Sequence, residues 1–188
     1  MRRLPPRRKT IAEPPGPTPL SADDSTPAGH GGADRHDAFV ALGANLGDAR
    51  ATLRHALDAL ARLPGTAVTA VSSFYRTAPV DSDGPDYLNA VARLRTACAP
   101  LELLDHLQAL EDAAGRQRPY RNAPRTLDLD VLRYDDLRLN VPRLQLPHPR
   151  MYERAFVLVP LAEIAPGLVP PDCLAAVAGQ AISPIPSD

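Results

Sequence analysis

The chain is poor in cysteine, lysine, net charge and long apolar runs. Cys98 and Cys173 stand alone among 188 residues, with no CxxC pair and no histidine at ligand spacing, so they read as two reduced thiols and argue against a disulfide framework. Lys9 is the only lysine against twenty arginines, a bias that reads as genome composition, so only clustered arginines count as evidence. A formal net charge of −1 gives no argument for nucleic acid or an anionic membrane surface. No apolar run approaches the roughly 20 residues that span a bilayer. The start, MRRLPPRRKTIAEPPGPTPL, is basic but has no continuous apolar segment of the signal-peptide kind. GxxxxGK[ST] and GxGxxG are both missing. The expectation is a cytoplasmic protein, taken as a monomer, that binds neither nucleic acid nor membrane.

The length suits one domain with a sizeable core. Residues 1–36 hold seven of the 22 prolines and almost no large apolar side chain, too little to offset ordering entropy, and read as a disordered extension. The domain is placed at 37–188. Ala38 to Leu42 reads as a buried strand running into the glycine turn of GANLGD. Asp48 is placed to cap a helix over Ala49 to Leu63, which Pro64-Gly65 stops. A strand over Ala67 to Tyr75, a loop over Arg76 to Asp86 and an alternating strand over Tyr87 to Thr96 follow. A second helix opens at Pro100 and ends at Gly115. Ala155 to Ile164 is apolar but ambiguous between helix and strand, and Pro166 to Asp188 reads as a loosely packed tail with weak helical character near Asp172 to Gly179.

Strand, helix, strand, strand, helix, strand is the split βαβ order, an α+β ferredoxin-like fold with an antiparallel sheet, helices on one face and C-terminal additions. Its last strand is the most informative stretch, PRTLDLDVL. Alternation sends Leu127, Leu129 and Val131 to one face and Asp128 and Asp130 to the other. Carboxylates about 6.6 Å apart on a strand repel by roughly 2.5 kcal/mol at an effective dielectric near 20. A hard divalent ion such as Mg²⁺ relieves that repulsion. Arg116, Arg118, Arg121 and Arg125 crowd the approach to the strand. The cluster is open to two readings: a metal-bound polyphosphate site, or arginines that merely pair with the acids. If the leucines lie under the helices, Asp128, Asp130, Tyr87 and Asn89 share the opposite, open face. His148 stands between two prolines with Arg150 and Arg154 close behind. Glu111 lies near a helix C-terminus, where an acid is electrostatically unfavourable and hints at another use.

With these residues assembled, the chain resembles the 6-hydroxymethyl-7,8-dihydropterin pyrophosphokinase family from about Phe39 to Pro166. The resemblance rests on LGANLGD, SSFYRTAPV, PDYLNAV, RNAPRTLDLDVLRY and LPHPRMYERAFVLVPLAEIAP. It implies an ATP-dependent pyrophosphoryl transfer to the hydroxymethyl oxygen of the pterin, releasing AMP, in folate biosynthesis. Asp128 and Asp130 would hold two Mg²⁺ ions on ATP. Tyr87 and Phe156 would sandwich the pterin, with Asn89 reading its edge and backbone groups near Thr77 and Val80 completing the pocket. Gln108, Glu111, Arg118, Arg125, Val131, Arg143, His148 and Arg154 match positions lining the nucleotide site, and Arg116 with Arg118 would sit on a catalytic loop. The chain departs from the pattern at Ala44, where the family often has serine, and at Asn122, where some members have tryptophan in a loop one residue longer. It departs again at Pro149, where some carry tyrosine, and the amino-terminal extension has no counterpart. Two other readings are a different metal-dependent transferase, which would bring a larger nucleotide-binding fold, and a non-catalytic ligand-binding domain.

Overall fold

The computed structural model describes residues 34–79, 84–115 and 126–186. Strand β1 (His36–Ala44) leads into helix α1 (Ala49–Ala61), and Asp48 caps it by accepting the Ala51 N–H at 3.0 Å. Then come β2 (Thr66–Val71), β3 (Tyr75–Thr77), β4 (Tyr87–Thr96), α2 (Pro100–Ala113) and β5 (Asp128–Tyr134). A small hairpin, β6 (Leu139–Val141) with β7 (Leu144–Leu146), precedes α3 (Ala155–Ile164), α4 (Pro171–Ala176) and β8 (Ser183–Pro184). The main sheet runs β5-β1-β4-β3-β8, with β2 paired to β4 beside β3, and every pairing is antiparallel. This is the ferredoxin-like order expected from the sequence.

Two apolar layers hold the sheet. On one face Leu53 and Leu60 of α1 and Leu103 and Leu107 of α2 pack on Val40, Leu42, Leu94, Leu129 and Val131. On the other, Phe39, Val91 and Leu132 receive Met151, Val157, Leu158 and Leu161. The far face is therefore not open along its whole length, as the alternation alone suggested. The C-terminal additions cover part of it and confine the polar area to the Asp128 end of the sheet.

Three other expectations change, and one left open is resolved. The first strand begins earlier than Ala38: His36 pairs with Thr96 in β1, and its Nδ1 lies 2.7 Å from an Asp135 carboxylate oxygen. The strand expected over Ala67 to Tyr75 divides in two, because the Ser72 hydroxyl oxygen accepts the Val91 N–H at 3.0 Å, a side chain taking a place that backbone holds in a regular ladder. The apolar Ala155–Ile164 stretch is helical despite Pro160, which cannot donate to the carbonyl one turn back. The chain after Pro166 is not a loose tail. Val169 and Val177 are buried, Gln180 accepts the Ala155 N–H and donates to the Glu153 carbonyl, both at 2.8 Å, and β8 extends the sheet.

Candidate active site

The acid pair lies on a row of the sheet that its neighbours leave low. Asp128 sits opposite Gly43, which on its other side sits opposite Asn89, and Asn89 sits opposite Tyr75. In the next row Asp130 faces Ala41. Between the carboxylates and Asn89, about 10 Å apart across two strand spacings, the sheet thus carries only a glycine and an alanine. A Cβ at Gly43 would come within 3.4 Å of Asn89 Oδ1. A glycine in mid-strand marks a close approach, a signal present in the sequence, where the turn is the favoured reading and ligand contact the alternative.

Asn89 is buried and its amide donates to Thr77 Oγ1 at 2.9 Å, which fixes the plane of the amide. The resemblance pointed to backbone groups near Thr77; the described contact uses its hydroxyl. Tyr87 pairs with Thr77 across the strands and is half-buried. The wall beyond is α3, whose Glu163 carboxylate accepts the Ser73 N–H at 2.9 and 3.0 Å, the Ser73 hydroxyl at 2.9 Å and the Tyr75 hydroxyl at 2.8 Å. Burial opposes the Glu163 charge, but these donors outweigh it and hold the carboxyl below the usual glutamate range. Burial and the bond to Glu163 push the Tyr75 hydroxyl up to about 12. Because the folded carboxyl titrates lower than the unfolded one, its contribution is in place above the ordinary glutamate range and fades as pH falls through it. Glu163→Ala is expected to lower stability by about 1–2 kcal/mol, since charged hydrogen bonds are discounted where the group is exposed. A urea midpoint equal to that of the parent chain would contradict this clamp.

At the outer edge of β5 the His148 N–H donates to the Leu132 carbonyl at 2.8 Å, which lays the histidine turn beside the acid pair. His148 Nδ1 accepts the Arg150 N–H at 3.2 Å, leaving the proton of a neutral ring on Nε2. Burial pushes this imidazole below its ordinary value; Asp130 and Asp128 oppose the shift, and Arg154 and Arg150 reinforce it. The Arg154 guanidinium lies 5.3 Å from the centre of the Phe156 ring; burial and the Arg150 charge lower its pKa, and the same two aspartates oppose that shift. Asp128, Asp130, His148 and Arg154 thus form one electrostatic group, with Phe156 beneath the arginine.

The remaining expected residues divide. Arg143 ion-pairs with Asp105 on α2, and Gln108 is exposed one turn along that helix. Glu111, a further turn along, is not a surface group: it is 2% exposed and accepts the Leu129 N–H at 2.8 Å. Val131 has its side chain in the core at 2% exposure, so only its backbone is available to a ligand. Val80, Arg116, Arg118 and Arg125 lie outside the described residues, as does Asn122.

The donor set fits a hard cation. Two carboxylates on one face, beside residues too small to cover them, are oxygen ligands of the kind Mg²⁺ takes. The sequence pattern of the family described as 7,8-dihydro-6-hydroxymethylpterin-pyrophosphokinase (HPPK) matches residues 39–166. The chain belongs to the HPPK family. A 2-amino-4-hydroxy-6-hydroxymethyldihydropteridine pyrophosphokinase of Pseudomonas aeruginosa is 51% identical over 135 residues, spanning 71% of this chain and 83% of the relative. The protein of the same name from Haemophilus influenzae is 46% identical over 136 residues, 72% and 85% of the two chains. Solved wild-type HPPK-DHPS of Plasmodium falciparum matches with a TM-score of 0.55 at 14% identity, over 69% of this HPPK chain. The chain spans 41% of that protein's length, and at such identity the likeness speaks for the fold. Among the described residues no helix is long and apolar enough to cross a membrane.

Proposed function

We propose that the Asp128–Asp130 face of β5 is where this HPPK chain works, and that the row Asp128–Gly43–Asn89 sets nucleotide and pterin side by side. The chain transfers the pyrophosphoryl group of ATP to 6-hydroxymethyl-7,8-dihydropterin in folate biosynthesis. The observation that supports this placement is the paired carboxylates one small residue away from a buried, oriented amide.

The oriented Asn89 amide presents an acceptor and a donor to the edge of a flat heterocycle. Tyr87 and Phe156 supply faces for it to stack against. The hydroxymethyl oxygen attacks the β-phosphorus; the bond from that phosphorus to the bridging oxygen breaks, its electron pair leaves with AMP, and the alcohol proton is lost. Asp130 is the nearest acceptor for that proton. His148 Nε2–H and Arg154 donate to phosphate oxygens, and Gln108, Arg143 and the Val131 backbone hold the rest of the nucleotide. Arg116, Arg118 and Arg125 belong to the same reading, as cations on the triphosphate. Asp128 and Asp130 would hold Mg²⁺, with two ions expected, and the metal would supply neutralisation of the triphosphate and of the departing charge. Glu111 acts from below as a positioning residue. The enzyme works as a cytoplasmic monomer, and the residues that precede His36 serve as an extension outside the catalytic domain.

Incubation with ATP, Mg²⁺ and the pterin is expected to yield AMP and pterin diphosphate in equal amounts. ADP as the product would mean transfer of a single phosphoryl group and would reject the placement of the attack at the β-phosphorus.

A further inference from the structure

Glu102 and His106 lie four residues apart on one stripe of α2, and Cys98 stands four residues before Glu102, just ahead of the Ala99 N-cap. The sequence alone offered no histidine at a familiar ligand spacing from either thiol; the fold brings His106 back to Cys98 from eight residues on. One ligand atom from each of the three lies within 4.8 Å of the other two. Tetrahedral zinc, with bonds of about 2.0–2.3 Å, needs such atoms about 3.4–3.6 Å apart, a difference that side-chain rotation can supply. His106 Nε2 is a buried nitrogen without a hydrogen-bond partner. Cys98 is 3% exposed, and its thiol points to the Pro64 carbonyl at 3.4 Å. One Glu102 oxygen caps the helix by accepting the Ala99 N–H at 3.1 Å; the other makes no hydrogen bond among the described residues.

We infer that Cys98, Glu102 and His106 form a binding site for a borderline-soft divalent cation, zinc being the natural occupant, with water as the fourth ligand. A thiolate and a carboxylate cancel the charge of the ion, which matters beside a helix N-terminus that itself repels cations. On binding, the S–H bond gives way to a sulfur–metal bond, the proton goes to solvent and the contact with Pro64 is given up. His106 Nε2 gains the partner it lacks. This chemistry differs from that of the Asp128 face, where only hard oxygen ligands are offered. The two sites also lie at opposite ends of β4, since Asn89 is near its start and Cys98 follows its end.

The untagged full-length chain, stripped of metal and held in excess Mg²⁺ to occupy the carboxylate face, is titrated with Co²⁺. The expected result is a near-ultraviolet sulfur-to-cobalt band that saturates at one equivalent and is displaced by Zn²⁺. Cys98→Ser removes the band and Cys173→Ser keeps it. His106→Ala and Glu102→Gln, which leave the thiol in place, weaken Co²⁺ binding by on the order of 10–100-fold or more. No band in the parent chain, or a band that survives Cys98→Ser, overturns the inference. If Cys98→Ser does not fold, unchanged affinity in His106→Ala overturns it equally.

Discussion

Asp128→Ala is expected to reduce AMP formation by roughly a thousandfold, the loss of about 4 kcal/mol of transition-state stabilisation, within the range for removing one charge-stabilising group. Asp128 is half-buried, opposite Gly43 on the sheet face away from α1 and α2, so its truncation opens no hole in the apolar core. Circular dichroism of the variant is expected to match the parent. Asp128→Asn separates charge from shape: the amide fills the same space but binds a hard cation poorly, so its activity falls nearly as far. If neighbouring arginines used Asp128 only as an ion-pair partner, either substitution would lower stability modestly and leave turnover within a few fold. Full activity of Asp128→Ala at ordinary Mg²⁺ would falsify the assignment of the acid pair as the reaction centre.

The portion of this site legible in the sequence is the portion that period-two alternation controls. Asp128 and Asp130 were separated from Leu129 and Val131 by pleating alone, and the register with β1 places them where the pleat required. Tyr87 and Asn89 followed by the same arithmetic. Two kinds of information were not local. Leu132 and Arg133 both turn to the far face because the register shifts between Phe39 and Val40, a bulge that no pattern within residues 128–134 announces. The cover of α3 over that face depends on Phe39, Val91 and Leu132 meeting Val157, Leu158 and Leu161, contacts between segments far apart in the chain. The hydrogen bond of Asn89 to Thr77 joins strands divided by a loop, and Glu163 reaches Ser73 and Tyr75 across 90 and 88 positions. Each polar partner sat in plain view as a residue type; its distance in sequence concealed the pairing.

Glu111→Ala is expected to lower stability by about 3 kcal/mol and to raise the Mg²⁺ concentration needed for half-maximal activity. The carboxylate is 2% exposed and accepts the N–H of Leu129, the residue between the two aspartates. Truncation leaves that buried N–H unsatisfied, a cost of about 1–3 kcal/mol, and adds a void under the strand. The second effect is geometric. Leu129 is anchored from below by its packing against α2 and by this hydrogen bond, so loosening it lets Asp128 and Asp130 shift together. Catalytic groups displaced by even an ångström lose much of their effect, yet Mg²⁺ held by Asp128 and Asp130 at saturation would restore part of that loss. Glu111→Gln retains an oxygen able to accept the Leu129 N–H and is expected to lose less on both counts. A direct contact with ATP predicts a different split: KM for ATP rises while the urea midpoint and the Mg²⁺ dependence stay put. Measuring the midpoint at constant m-value alongside AMP release across a Mg²⁺ series separates the two roles. A midpoint within about 0.5 kcal/mol of the parent would remove the positioning role, because a buried acceptor cannot be deleted at so little cost.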